Sequence, residues 1–426
     1  MKNSVLSCCI FLAVISAANA QTYSGKLGYG FSPPGFQLDF SQTGSFLQEV
    51  AGFCGGGVVY ANTDWRNDSA SGGIIPQLQK VVAQLQPSPF AYTDMLTFAW
   101  ADYPAIHLAS PSNPVNNWTN AQTRADFMTM LVHTADSLQP AYMFIGNEVS
   151  FYIEQDSLDY LNFISFYEST YDSIKLHSPN TKVGTIFNYE HINGYGNLNG
   201  WTDKHWSALT LIDSTKLDVI GFSLYPFLSV PTANAMPADY LDTMFARTGN
   251  KPVVITETGW PADSLYGTWV SSPQQQVDYV NQLFPKLAGQ NVEDVNWLYL
   301  NYLIDTTSNV GPLIFKSVSL RDSLGNDRPA LPLWESMCPL TGISPAQNEK
   351  TLAFFPNPSD GNFTVQDPQA ANAQLRIDDA EGREVYSGIL AAGTNRVSLS
   401  LPDGFYIATV FTEGEYPVTQ KIVIRH

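Results

Sequence analysis

Cysteine is almost missing from this chain. Of four in 426 residues, Cys8 and Cys9 fall within the first twenty, and only Cys54 and Cys338 remain beyond them. A disulfide-dense scaffold and a multi-cysteine metal site are therefore excluded. The two remaining thiols can pair in an oxidising compartment or stay buried and free, and the sequence leaves both open. Histidine is scarce as well, six in all, with no HExxH or H-x-H spacing, so no dedicated catalytic zinc site is expected. No acidic run has EF-hand spacing. Positive charge is short, 21 Lys and Arg against 39 Asp and Glu for a net charge of −18. Phosphate binding needs a concentrated positive surface, which argues against a nucleic-acid partner. Past the leader, no run reaches the roughly 18 uninterrupted apolar residues of a membrane span.

What is present begins with a leader. Lys2 precedes an apolar stretch from Val5 to Ile15, and Ala18-Asn19-Ala20 has the small-residue pattern of a signal-peptidase site, so 1–20 reads as a signal peptide. A lipid anchor on Cys8 or Cys9 fits less well, because those residues precede most of the apolar stretch that an anchored cysteine follows.

From about residue 25 to 340, short apolar runs alternate with amphipathic helical stretches, the pattern of repeated βα units. Eight strands are expected, at 26–31, 57–62, 94–100, 142–147, 182–187, 217–224, 252–256 and 295–300. Helices are expected at 75–86, 122–138, 158–177 and 274–287, the last opened by Ser271-Ser272-Pro273. Eight repeats in 21–340 fit an α/β fold of the (β/α)8 TIM barrel kind. The rival, a doubly wound open sheet, usually carries a Gly-rich turn after its first strand, whereas Gly55-Gly56-Gly57 precedes a strand. A polar linker at 341–350 leads to a stretch, 351–426, with no helical pattern. There turn signals at Asn357-Pro358, Asp360-Gly361, Glu381-Gly382 and Asp403-Gly404 punctuate short alternating strands, as in a small all-β sandwich domain.

Two strands end in carboxylates. Tyr142-Met143-Phe144-Ile145-Gly146 runs into Asn147-Glu148, and Val253-Val254-Ile255-Thr256 runs into Glu257-Thr258-Gly259-Trp260-Pro261. In a barrel, functional side chains sit at the C-terminal ends of strands. Carboxylates on strands four and seven can face each other across the mouth, and at roughly 5–5.5 Å one serves as nucleophile and the other as general acid in glycoside hydrolysis. A single such glutamate could equally cap the next helix; two reduce that coincidence.

At these residues the sequence resembles glycoside hydrolase clan A, whose retaining barrels carry an Asn-Glu pair ending strand four and a nucleophilic Glu ending strand seven. The resemblance implies that Asn147 binds the hydroxyl beside the reacting carbon, Glu148 is acid/base, Glu257 is nucleophile and Tyr225, in Asp218-Val219-Ile220-Gly221-Phe222-Ser223-Leu224-Tyr225, hydrogen-bonds the nucleophile. Within the clan, Glu257-Thr258-Gly259-Trp260-Pro261 is similar to endo-β-1,3-glucanases. The Tyr225 segment, the step from Glu148 to Glu257 and Trp100-Ala101-Asp102-Tyr103-Pro104 are more similar to the endo-β-1,4-galactanases that cut arabinogalactan. The galactanase signature on strand three is replaced by Leu96-Thr97-Phe98-Ala99, and strand eight lacks a clean motif.

A β-linked oligo- or polysaccharide is thus the expected partner, no cofactor or metal is needed, and Trp65, Trp100, Trp260 and Trp297 near strand ends are candidates to stack on sugar rings. Glu190, Asp102 and Asp305 also follow strands and read as loop polar residues. The C-terminal segment resembles the sorting domain of the type IX secretion system, through Phe354-Phe355-Pro356-Asn357-Pro358, Gly361, Phe363, Gly382, Pro402-Asp403-Gly404-Phe405-Tyr406 and Lys421-Ile422-Val423-Ile424. That implies export through the periplasm to the cell surface or medium, with the type IX machinery as partner; a carbohydrate-binding sandwich is the alternative. A transglycosylase, and a non-catalytic surface glycan binder on a degenerate barrel, are the other functional readings of the same residues.

Overall fold

The computed structural model describes residues 23–36, 39–64, 92–100, 117–196, 200–264, 270–303, 314–338, 353–367, 373–379, 383–391, 393–411 and 418–426. The chain divides into two compact units, Met1–Leu340 and Thr341–His426. The helix expected at 75–86, together with Trp65, Asp102 and Asp305, lies outside the described residues.

In the first unit the apolar runs form strands β1 (Lys26–Gly30), β2 (Val58–Asp64), β3 (Thr93–Ala99), β4 (Tyr142–Ile145), β5 (Lys182–Gly184), β6 (Ile186–Asn188), β7 (Ile220–Leu224), β8 (Val253–Thr258) and β9 (Val292–Trp297). Every pairing among them is parallel, in the order β5-β4-β3-β2-β1-β9-β8-β7-β6. β5 and β6 are halves of one run through Thr185: the first half pairs with β4 and the second with β7. The sheet thereby closes into a ring of eight barrel strands, a TIM barrel. Alternation sorts the side chains into two layers. Val58, Tyr60, Met95, Phe144, Ile186 and Val254 fill the inside of the ring, while Val59, Leu96, Met143, Val183, Phe222 and Ile255 join the helices in the outer core.

The helices start where capping chemistry allows. Asn120 accepts from the Thr123 N–H at the head of Ala121–Leu138, and Asp156 accepts from the Asp159 N–H ahead of Ser157–His177. Pro273–Leu287 opens with Pro273 in its first turn, where no N–H is needed. The last barrel strand departs from expectation. It runs over Val292–Trp297 instead of 295–300, because the alternation that matters includes the buried polar pair Asp294 and Asn296, whose side chains hydrogen-bond each other at 2.9 Å. Cys54 and Cys338 form a disulfide, with Cα atoms 5.4 Å apart.

The second unit comprises β10 (Ala353–Phe355), β11 (Asn362–Asp367), β12 (Ala373–Asp378), β13 (Glu384–Leu390), β14 (Gly393–Ser398), β15 (Gly404–Phe411) and β16 (Val418–Ile424). They pair antiparallel in two sheets, β10-β11-β14 and β13-β12-β15-β16. Alternate residues of both sheets, including Phe363, Val365, Leu375, Ile377, Ala408 and Val410, share one core, which makes the unit a small β-sandwich.

Candidate active site

The tip of β4 is tightly specified. After Ile145 the chain turns at Gly146 with φ 91°, and Glu148 itself adopts φ 51° before the helix Ser150–Gln155. A left-handed conformation costs a residue with a Cβ about 1–2 kcal/mol, and such strain persists where the surroundings over-determine it. Here Gly146 N–H donates to Phe98 O at 3.0 Å, and Val149 N–H to Ile186 O at 2.9 Å. A Cβ at Gly146 would lie 2.5 Å from Val149 Cγ1 and 2.6 Å from Trp100 Nε1. The turn therefore needs glycine.

Glu257 reaches the barrel mouth through a β-bulge. Phe222 pairs with Ile255, but Ser223 pairs with Glu257, so Thr256 is an extra residue. Plain alternation from the inward Val254 would send Glu257 outward into the helices; the bulge turns it to the same face as Ser223. There its Oε1 accepts from Tyr60 Oη at 2.7 Å and its Oε2 from Tyr225 Oη at 2.8 Å. Glu148 Oε1 accepts from Ser223 Oγ at 2.6 Å and Asn188 Nδ2 at 2.9 Å. Ser223 is thus the register neighbour of one carboxyl group and a donor to the other, which puts both glutamates at one end of the ring.

Burial pushes both carboxyl groups up. Glu148 rises because it is desolvated, against the opposing hydrogen bonds of Ser223 and Asn188. Glu257 is pushed up to about 7 by burial first and by the charge of Glu148 second, against hydrogen bonds from Tyr60, Tyr225 and Asn147. Two carboxyl groups coupled in this way share protons as a pair. When Glu148 holds the proton, its charge no longer acts on Glu257, and two phenols and an amide favour the carboxylate there. Both phenols are themselves raised well above the ordinary tyrosine value by burial, so they remain donors. The arrangement can hold one acid and one carboxylate at neutral pH.

Asn147 is half-buried beside Glu257, and its Oδ1 is buried without a hydrogen-bond partner. Glu190 is fully buried, not a surface loop residue. Its Oε2 accepts the Tyr225 N–H and its Oε1 the Tyr240 hydroxyl, both at 2.9 Å, and burial pushes it up to about 7. The described tryptophans correct an expectation. Trp100, Trp260 and Trp297 are each 2% exposed or less. Trp100 packs edge-on against Trp118 and Tyr152, Trp260 lies against Tyr279 and Phe227, and Trp297 donates to Val318 O and meets Trp334. They underpin the strand tips instead of offering open faces to a sugar. Tyr60, Asn188 and Ser223, which sequence reasoning does not single out, also hydrogen-bond the carboxyl pair; only the closed ring shows that they face inward.

A parallel eight-stranded ring with one buried and one half-buried carboxyl group at its strand tips is the kind of arrangement found in glycosidase barrels. The profile of glycosyl hydrolase family 53 matches residues 99–311, and the chain belongs to that family. Residues 353–425 match the secretion system C-terminal sorting domain, which marks the protein for export to the cell surface or the medium. No described helix is long and apolar enough to cross a membrane. No curated protein matches the sequence. Among solved structures, the chain is similar to a GH5_18 protein of Streptomyces cattleya in complex with Manb1-4GlcNAc, at 13% identity and TM-score 0.58, covering 78% of this chain and 84% of that one. It is similar to a GH5_18 protein of Bifidobacterium longum at 13% identity and TM-score 0.55, covering 74% and 78%. An exo-beta-1,4-mannosidase from Opitutaceae bacterium strain TAV5 follows at 11% identity and TM-score 0.54, covering 75% and 61%. The chain spans about half the length, 45%, of a beta-glucuronidase from Bacteroides uniformis. At these identities the likeness is one of fold.

Proposed function

We propose that the protein is an exported retaining glycoside hydrolase that cleaves β-1,4-galactan, as in arabinogalactan, by double displacement. The observation that carries this reading is the pairing of Glu257, held by Tyr60 and Tyr225, with Glu148, held by Ser223 and Asn188. Glu257 attacks the anomeric carbon while Glu148 passes its proton to the leaving oxygen. As the glycosyl-enzyme forms, Glu257 loses its charge and Glu148 gains one, and the same carboxylate then takes a proton from the incoming water. Net configuration is retained. Neither step calls for a cofactor. The unpartnered Oδ1 of Asn147 suits a hydroxyl beside the reacting carbon, because a buried acceptor left unmade is costly. Membership of family 53, a family of endo-β-1,4-galactanases, supports the choice of galactan. Export is assigned to the type IX machinery acting on the C-terminal sandwich.

The test is reducing-sugar release from β-1,4-galactan, arabinogalactan, β-1,3-glucan, mixed-linkage glucan and β-mannan. Galactan should be cleaved, with the β-anomer formed first by NMR. Glu257→Gln should keep the fold and lower turnover by roughly three orders of magnitude or more. Cleavage of another polymer alone overturns the substrate; appreciable turnover in the variant overturns the nucleophile. Glycan binding without turnover would make the protein a binding barrel.

A further inference from the structure

Beside the carboxyl pair lies a cluster that the hydrolysis does not use. Glu154 stands in the helix that follows Glu148, six positions on, and His191 lies three positions past Asn188, the amide that donates to Glu148. His205 precedes the helix Ser207–Thr210 and is pinned to the same loop, its N–H donating to Ile192 O at 2.9 Å. One potential ligand atom from each of Glu154, His191 and His205 lies within 4.8 Å of the other two.

The His191 ring is 1% exposed, and its Nε2 meets Glu154 Oε2 at 2.8 Å. The His205 ring is stacked on it, 4.6 Å away and 5° from parallel, so a second imidazole is held close without adding a hydrogen bond between the rings. Phe151 and Trp201 press on the His191 ring from other sides and fix its plane. Glu154 is exposed and leaves a path from solvent.

We propose that Glu154, His191 and His205 bind one divalent cation of the zinc class. Two imidazoles and one carboxylate are the donor set such borderline ions prefer over calcium or magnesium, and three protein ligands leave one position for water. Tetrahedral bonds of about 2.0–2.1 Å set ligand atoms roughly 3.3 Å apart, so the Glu154 and His191 atoms, 2.8 Å apart, open slightly and rotation of the half-exposed His205 brings in the third donor. The ion takes the place of the proton between His191 and Glu154. It also clips the segment after β4, which carries Glu148, to the segment that follows Asn188 at the end of β6. This site does not depend on which polysaccharide is cleaved, or on whether one is.

Calorimetric titration of the chelator-treated full chain with zinc chloride tests it. One ion should bind per chain, and zinc should raise the melting temperature by a few degrees. Glu154→Gln, at an exposed position, and His205→Gln, at a half-exposed one, should each weaken binding at least tenfold, and the double variant should lose the zinc-dependent rise in melting temperature while melting normally without metal. Cobalt bound in place of zinc should give visible absorption bands that the double variant lacks. No stoichiometric binding by the unaltered chain, or binding unchanged in the double variant, overturns the proposal.

Discussion

Tyr60 and Ser223 each donate to a different member of the carboxyl pair, and removing either donor moves a different limb of the pH profile. A hydrogen bond to a carboxylate favours its charged form. As the proposed nucleophile, Glu257 attacks only when ionised, so activity should rise with pH as it loses its proton. Tyr60→Phe takes away one of the groups holding it down and should shift the acid limb of kcat/KM to higher pH. As the proposed general acid, Glu148 must keep its proton, so activity should fall once it ionises; Ser223→Ala removes an opposing hydrogen bond and should shift the alkaline limb upward. Measured profiles in which Ser223→Ala moves the acid limb would reverse the assignment of roles. Glu148 and Glu257 stand out in the sequence because each ends an apolar run with a carboxylate, whereas Tyr225 comes only from the resemblance to clan A. Tyr60 and Ser223 do not stand out, since tyrosine and serine inside a strand look like strand formers until the ring closes and shows which groups face inward. The tryptophans misled for the converse reason: a strand end says where a ring starts, not which neighbours cover it.

At the scale of single elements, most strands lay where apolar alternation put them, and the departures have physical causes. Buried Asp294 and Asn296 disguised the start of the last barrel strand, and the run at 182–188 serves two partners with a break at Thr185. The bulge at Thr256 has no signal in composition; strict alternation would have faced Glu257 away from the mouth. Just beyond it, Gly259 has φ 154°, and a Cβ there would lie 2.3 Å from Val318 Cγ1 and 3.2 Å from Trp297. Gly259→Ala should cost about 1–3 kcal/mol through overpacking. It should also lower kcat/KM more than tenfold, because a shift of about 1 Å at a reacting group is enough. Gly44→Ala, in the helix Thr43–Gly52 with open space around it, should be neutral or mildly stabilising in the same thermal melts.

For the molecule as a whole, the change from βα alternation to short strands and turns near residue 341 could be read directly, whereas the fate of Cys54 and Cys338 could not, because pairing depends on where folding brings two distant residues. They are 284 positions apart. A cross-link over so long a loop restricts the unfolded chain, and replacing both cysteines with alanine should lower stability by about 2–4 kcal/mol, seen as an earlier denaturant midpoint. An unchanged midpoint would mean the bond adds nothing to the fold. The same bond makes a covalent circle of almost the entire barrel. Any single peptide cut between Cys54 and Cys338 opens that circle without dividing the molecule, so a once-nicked enzyme runs as one species until a reductant is added, and an exported hydrolase among proteases keeps its pieces together.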